Sequence, residues 1–113
     1  EGHLRIVTEG TLMQRYADSL VKEQASRAVI VSLADHAVPV VNATTLFSEV
    51  GEYLCTQYQG APFAAYYYDR ADGKRQWGLR SRGGLACSVV AKLYGGGGHP
   101  GAAGFITDGG WLP

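Results

Sequence analysis

Four consecutive glycines, Gly95 to Gly98, run directly into His99, and Pro100, Gly101, Ala102, Ala103 and Gly104 follow. Glycines adopt positive φ and leave backbone N–H groups uncovered, so such a run can form a concave nest for an anion. His99 at the rim adds a ring N–H donor. The small residues after it let the chain pass close to a ligand or to a neighbouring backbone. The order is not the dinucleotide fingerprint G-x-G-x-x-G, nor the triphosphate loop that ends in Gly-Lys-Ser/Thr. A flexible turn is the plain alternative for glycines alone; the Ala-Ala-Gly that follows favours a ligand.

Arg80 and Ser81 are the second feature with chemistry. A planar guanidinium fork beside a hydroxyl suits bidentate recognition of phosphate. A strand arginine is by itself commonly a solvated surface residue. Arg80, however, precedes the glycine run by one helix, and a strand end readily meets the loop that follows the next helix.

The elements that must position these groups are legible in the apolar spacing. Leu12, Met13, Tyr16, Ala17, Leu20 and Val21 recur at three and four, which predicts an amphipathic helix over Thr8 to about Arg27, with Gln14, Asp18, Lys22 and Glu23 opposite. The β-branched run Ala28 to Leu33, the turn at Asp35 and His36, and Val38 to Val41 predict a hairpin. A second helix is expected over Leu46 to Tyr58, ending before Gly60 and Pro62. Phe63 to Tyr68 and Gln76 to Arg82 flank the turn signal Asp72-Gly73, and the alternation puts Arg80 and Arg82 on one face. Leu85 to Tyr94 reads as a third helix, with Leu85, Val89 and Leu93 in line and no good polar cap. Phe105 to Thr107 is the last strand. The fold expected is α/β: one domain over residues 1–113, with a mixed sheet of about five strands and about three helices.

Bulk composition narrows the uses of such a domain. The 113 residues are 46% apolar, enough for one real core. Ten Lys and Arg balance ten Asp and Glu, so the chain lacks the field that general nucleic-acid coating requires, and any phosphate binding is local. No apolar stretch reaches membrane-spanning length and no cationic leader precedes an apolar run, so the expected setting is cytoplasmic, without membrane contact. The start at Glu1 fits a piece of a longer protein. Cys55 and Cys87 lack metal-ligand or redox spacing and are read as reduced core thiols.

The run Gly-Gly-Gly-His-x-x-Ala-Ala-Gly-Phe at Gly96 to Phe105 resembles the signature of the DHH-associated C-terminal domain of DHH phosphoesterases, which include RecJ-like exonucleases, nanoRNases and cyclic-dinucleotide phosphodiesterases. Leu79 to Arg82 resembles the family's Leu-Arg-Ser segment. Val40 to Ala43 and Ser48 to Gly51 resemble its Val-Val-Asn-Ala and Ser-Glu-Val-Gly stretches, and the likeness extends from about Thr8 to Thr107. It implies a substrate-binding domain whose N-terminal catalytic partner, not contained in this chain, holds two manganese ions through Asp and His residues including an Asp-His-His triplet. Asp35 and His36 are followed by Ala37, so that triplet is not here; His36 is read as a turn residue and His3 is left unassigned. No catalytic residue, metal ligand or cofactor is assigned to the chain itself. By carry-over, Arg80 and Ser81 bind a substrate phosphate, Gly96, Gly97 and Gly98 present N–H groups, and His99 donates to the phosphate. Asn42 and Ser48 are secondary candidates at the rim. The implied ligands are short oligonucleotides, dinucleotides or nucleotide phosphates, with phosphomonoester or polyphosphate hydrolysis as alternatives for the parent enzyme. Two positions depart from the family: Leu85, Ala86 and Cys87 stand where an acidic residue often precedes the third helix, and Pro100 and Gly101 follow the histidine in place of a polar or basic residue. A different class remains open, because the domain also resembles the RNA-binding, oligomerising C-terminal part of alanyl-tRNA synthetases. A third use is structural, as a homodimer contact. Tyr66, Tyr67 and Tyr68 could stack bases but are read first as core residues of a strand buried on both faces.

Overall fold

The computed structural model describes residues 2–83 and 85–113, with side chains from Thr11 onward, so the side chain of His3 lies outside the described residues. Helix α1 spans Gly2–Ala25. It begins earlier than the apolar stripe predicts, and much of that stripe is not core: Leu12, Met13 and Tyr16 are 55%, 74% and 68% exposed, whereas Val21 and Ala25 are buried. Val21 and Ala25 of α1 join the core with residues of α2 and the sheet. Gln24, buried there, donates through Nε2 to the Thr45 carbonyl (3.1 Å) and accepts from the Thr44 N–H (2.9 Å). Both ends of its amide are satisfied, as burial requires, and the clamp fixes the loop that launches α2.

Strands β1 (Val29–Leu33) and β2 (His36–Asn42) form the expected hairpin, but its two-residue turn is Ala34 and Asp35, both at positive φ, and His36 is the first residue of β2, paired with Leu33, rather than a turn residue. Helix α2 covers Phe47–Gln57. Strand β3 (Ala64–Asp69) runs parallel to β2, and β4 (Lys74–Arg80) returns antiparallel through a turn in which Gly73 has φ 83° and the Asp72 carboxylate accepts the Lys74 N–H (3.1 Å). Helix α3 spans Cys87–Leu93, and the short β5 (Gly97–His99) and β6 (Ala102–Asp108) complete a mixed six-stranded sheet in the order β1-β2-β3-β4-β6-β5. The strand beyond the five expected is the glycine run itself. It pairs with Ala102–Gly104 instead of forming an open loop.

Each face of the sheet has its own core. Val41, Ala64, Val50 and Leu54 meet the end of α1 on one side; Leu33, Phe63, Trp77, Leu79, Phe105 and α3 pack on the other. The buried side of α3 is Cys87, Val90 and Ala91, while Val89 and Leu93 of the predicted line are 57% and 69% exposed. This helix is apolar nearly all round, so periodicity offered two stripes and the sheet selected the one with smaller residues. Cys55 and Cys87 are free thiols. Burial, above all, pushes the Cys87 thiol up to about 11. No helix among the described residues is long and apolar enough to cross a membrane.

Candidate anion site

Directly opposed residues of an antiparallel pair share a face. Arg80 on β4 opposes Ala102 on β6, which in turn opposes His99 on β5. The two donors singled out from the sequence therefore stand on one face, two strands apart, with roughly 10 Å between their backbones and only a methyl group between them. An open depression of about 410 Å³ lies there, lined by Glu52, Arg80, Ser81, Arg82, His99 and the Gly101–Ala102 backbone.

The backbone holds this pair in register. The Ser81 N–H donates to the Gly101 carbonyl (3.0 Å) and the Cys87 N–H to the Pro100 carbonyl (2.8 Å). The hairpin tip carrying His99 is thus tied both to the end of β4 and to the start of α3. Pro100 and Gly101 make the turn, and α3, which has no side-chain cap, is anchored through that turn. The His99 side chain is exposed and has no hydrogen bond or ion pair among the described residues.

Arg80 is positioned by its stem. A Cβ at Gly51 would lie 2.9 Å from the Arg80 Cβ, so glycine at that place lets α2 approach the arginine closely. Its guanidinium Nε is 3.6 Å from Glu52, and Arg82 reaches the same carboxylate at 2.9 Å and donates to Thr56 (3.0 Å). Two guanidinium groups thus share one carboxylate, which leaves surplus positive charge facing the depression. The Cys55 thiol donates to the Arg80 carbonyl (3.3 Å), and its pKa is raised, chiefly by burial. Glu52 escaped the sequence reading, whereas Gly51 entered it only as the end of the Ser48 to Gly51 likeness and Cys55 only as a core thiol.

Other expected site residues behave differently. Ser81 is buried, and its hydroxyl bonds Pro62 (3.3 Å) and Gly83 (3.0 Å) while accepting the Gly83 N–H (3.2 Å). It braces the loop after β4. The Gly96 N–H is committed to the Ala91 carbonyl (2.8 Å) at the end of α3, and a Cβ there would strike the Gly104 carbonyl. Gly98, at φ 144°, lies too close to Ala103 for any side chain. Gly97 differs from both, since a Cβ would meet nothing within 4 Å. As an edge strand, β5 keeps part of its backbone unpaired and open to a ligand. Asn42 pairs with Tyr67 and lines a separate depression on the opposite face, and Ser48 lies exposed on α2 outside the anion depression. Among the described residues no group of three or more His, Cys, Asp or Glu converges to hold a metal.

No family model matches the chain, and no curated protein matches its sequence. Solved structures do match. The chain superposes on part of the pGpG-specific phosphodiesterase PggH from Vibrio cholerae with a TM-score of 0.63 and 16% identity, covering 90% of this chain and 37% of that one. What the two share is the fold. A part of an uncharacterized protein from Helicobacter pylori G27 matches with a TM-score of 0.52 and 23% identity, over 82% of this chain and 25% of that one. The chain thus spans well under half the length of either neighbour.

Proposed function

We propose that this chain is the substrate-binding domain of a DHH-type, metal-dependent phosphoesterase, and that it grips a phosphate of a dinucleotide or short oligonucleotide. The observation that carries this reading is the register that brings Arg80 and His99 to one depression, with the tip that bears His99 tied at two backbone bonds. A charge-assisted fork from Arg80 and a ring donor from His99 converge on one anion. Gly97 leaves the approach clear, and Glu52 pairs with both arginines until an anion competes for them. Support also comes from the fold shared with a phosphodiesterase specific for pGpG, a dinucleotide. Bond cleavage, with its two manganese ions, is assigned to a catalytic domain in cis.

The balanced charge of ten basic and ten acidic residues favours this local grip over a general RNA-binding module. The test is to compare a 5′-phosphorylated dinucleotide with its unphosphorylated analogue on the wild type and on Arg80→Ala. The variant should lose about tenfold in affinity for the phosphorylated ligand, the size of one charge-assisted bond, and nothing for the other. Equal losses for both ligands would remove Arg80 from the site.

A further inference from the structure

The two edges of the sheet are finished differently. Strand β5 is three residues long, two of them glycine, and closes the side that carries the anion depression. At the far edge β1 reads Val29-Ile30-Val31-Ser32-Leu33 and pairs with β2 alone, one residue to one along its whole length. Edge strands are ordinarily blunted by a charge, a proline, a bulge or a covering element, because an open ladder invites pairing with another chain. Strand β1 has no charge, no proline and no bulge, and its Val29 and Ile30 are 59% and 56% exposed.

The hairpin decides which ladder groups are open. Across its two-residue turn the closing pair Leu33 and His36 exchange both backbone bonds. The alternation of an antiparallel ladder then points Val31 and Val29 at β2 and leaves the N–H and C=O groups of Ile30 and Ser32 facing outward. Pro39, which has no N–H to give, accordingly stands opposite Ile30. Beyond these two residues the outward N–H groups are already used: that of Ala28 donates to the Ala25 carbonyl (3.1 Å) and that of Ala34 to the Tyr94 hydroxyl (3.1 Å).

We infer that β1 is a self-association edge, where a second copy of this chain adds its own β1 antiparallel across a two-fold axis at Val31. A two-fold contact must oppose the same patch to itself. In this register Ile30 and the partner's Ser32 exchange both bonds, and Ser32 and the partner's Ile30 do the same. An axis at Val29 or Leu33 would instead set the open groups against the spent N–H of Ala28 or Ala34. The register that satisfies the backbone also places Arg27 opposite the partner's Asp35 at both ends. Both residues are exposed, and among the described residues Arg27 is engaged only in an exposed ion pair with Glu23 (2.9 Å), which holds it weakly. The side chains agree with the backbone: Val31 meets its counterpart at the axis, and Val29 lies beside the partner's Leu33. On that face Val29 and Val31 line a largely apolar groove of about 440 Å³ with Val40, Tyr67 and Leu112, itself 59% exposed, and the grooves of the two copies run together at the axis.

The experiment is sedimentation equilibrium of the chain, paired with amide hydrogen exchange at low and high protein concentration. Small interfaces are weak, so a dimer with a dissociation constant of about 100 µM is expected. Well above that concentration the Ile30 and Ser32 amides should exchange about tenfold more slowly than in the monomer. Ile30→Pro deletes one outward donor on each copy at a place where an edge strand tolerates proline, and should weaken the dimer about tenfold. Arg27→Asp sets carboxylates against each other at both ends and should weaken it about fivefold; this exposed variant tests the register even where the proline variant fails to fold. A monomer at every concentration would overturn the inference and leave the edge to an extended segment of a different protein. A dimer whose Ile30 and Ser32 amides stay unprotected, or one that the folded variants leave intact, would overturn it equally. None of these outcomes bears on the anion depression, which lies among β4, β6 and β5.

Discussion

Two arginines on β4 face opposite sides of the sheet and opposite fates. Arg75 is forked onto both carboxylate oxygens of Asp69 (2.8 and 3.2 Å), donates to the Trp111 carbonyl (3.0 Å) and lies 4.3 Å over the Tyr67 ring. Its side chain is 11% exposed. Arg80 is 33% exposed, has among the described residues only a 3.6 Å approach from Glu52 to its guanidinium, and looks into an open depression beside a histidine whose side chain has no partner among those residues. One guanidinium has spent its donors on the fold, tying the C-terminal segment to the sheet. The other is held firmly by its stem and keeps its donors for something else. Placement on a strand does not distinguish a structural arginine from a binding one; the satisfaction of its donors does.

That contrast can be broken by substitution. Arg75→Ala removes the Asp69 fork, the Trp111 anchor and the cover over Tyr67 together, and should lower the thermal midpoint by roughly 10 °C in a domain of this size. Phosphate-ligand affinity, measured below the transition, should not change. Arg80→Ala should do the reverse, with its tenfold loss for a phosphorylated ligand and a midpoint within about 3 °C of wild type. A comparable loss of stability in both variants would erase the distinction.

Smaller effects sharpen it. Glu52→Gln withdraws the negative charge shared by Arg80 and Arg82, so affinity for adenosine monophosphate should rise about threefold, the scale of a partly exposed ion pair; calorimetric titration at low salt reads this, and a fall would mean that Glu52 chiefly orients Arg80. The least effect is on pH dependence. The hydrogen bond from Arg75 holds the Asp69 carboxyl below its ordinary value. A carboxyl whose folded pKa is depressed stabilises the fold above its unfolded value, near 4, and that contribution fades as pH falls through the folded pKa. Thermal melts of wild type and Asp69→Asn should therefore differ at neutral pH and converge as the pH falls below the ordinary carboxylate range.

The hairpins were legible in the sequence because their signals are local. Asp72-Gly73 dictates a turn, and the β-branched residues around Ala34 and Asp35 dictate strands. The pairing of Arg80 with the glycine-histidine run was legible too, through the order of strand, helix and loop. What escaped depends on contacts between distant segments. Gly97–His99 reads as loop because glycines carry no strand preference, and only Ala102–Gly104 opposite makes it a strand. The Ser81 hydroxyl looked free until the carbonyls of Pro62 and Gly83 were in place. Asn42 lies in a stretch that reads well, but its register opposite Tyr67 turns it to the wrong face. Glu52 enters the site only because Gly51 lets α2 lie against Arg80, a packing event with no local signature.

The most direct measurement is the amide NMR titration of the unmodified chain with a 5′-phosphorylated dinucleotide, followed to high ligand concentration so that weak binding is detected. The account predicts saturable shifts clustered at Arg80, Arg82 and Gly97 to Ala102, lost in Arg80→Ala. Shifts absent from these residues, or identical with the unphosphorylated dinucleotide, would contradict it.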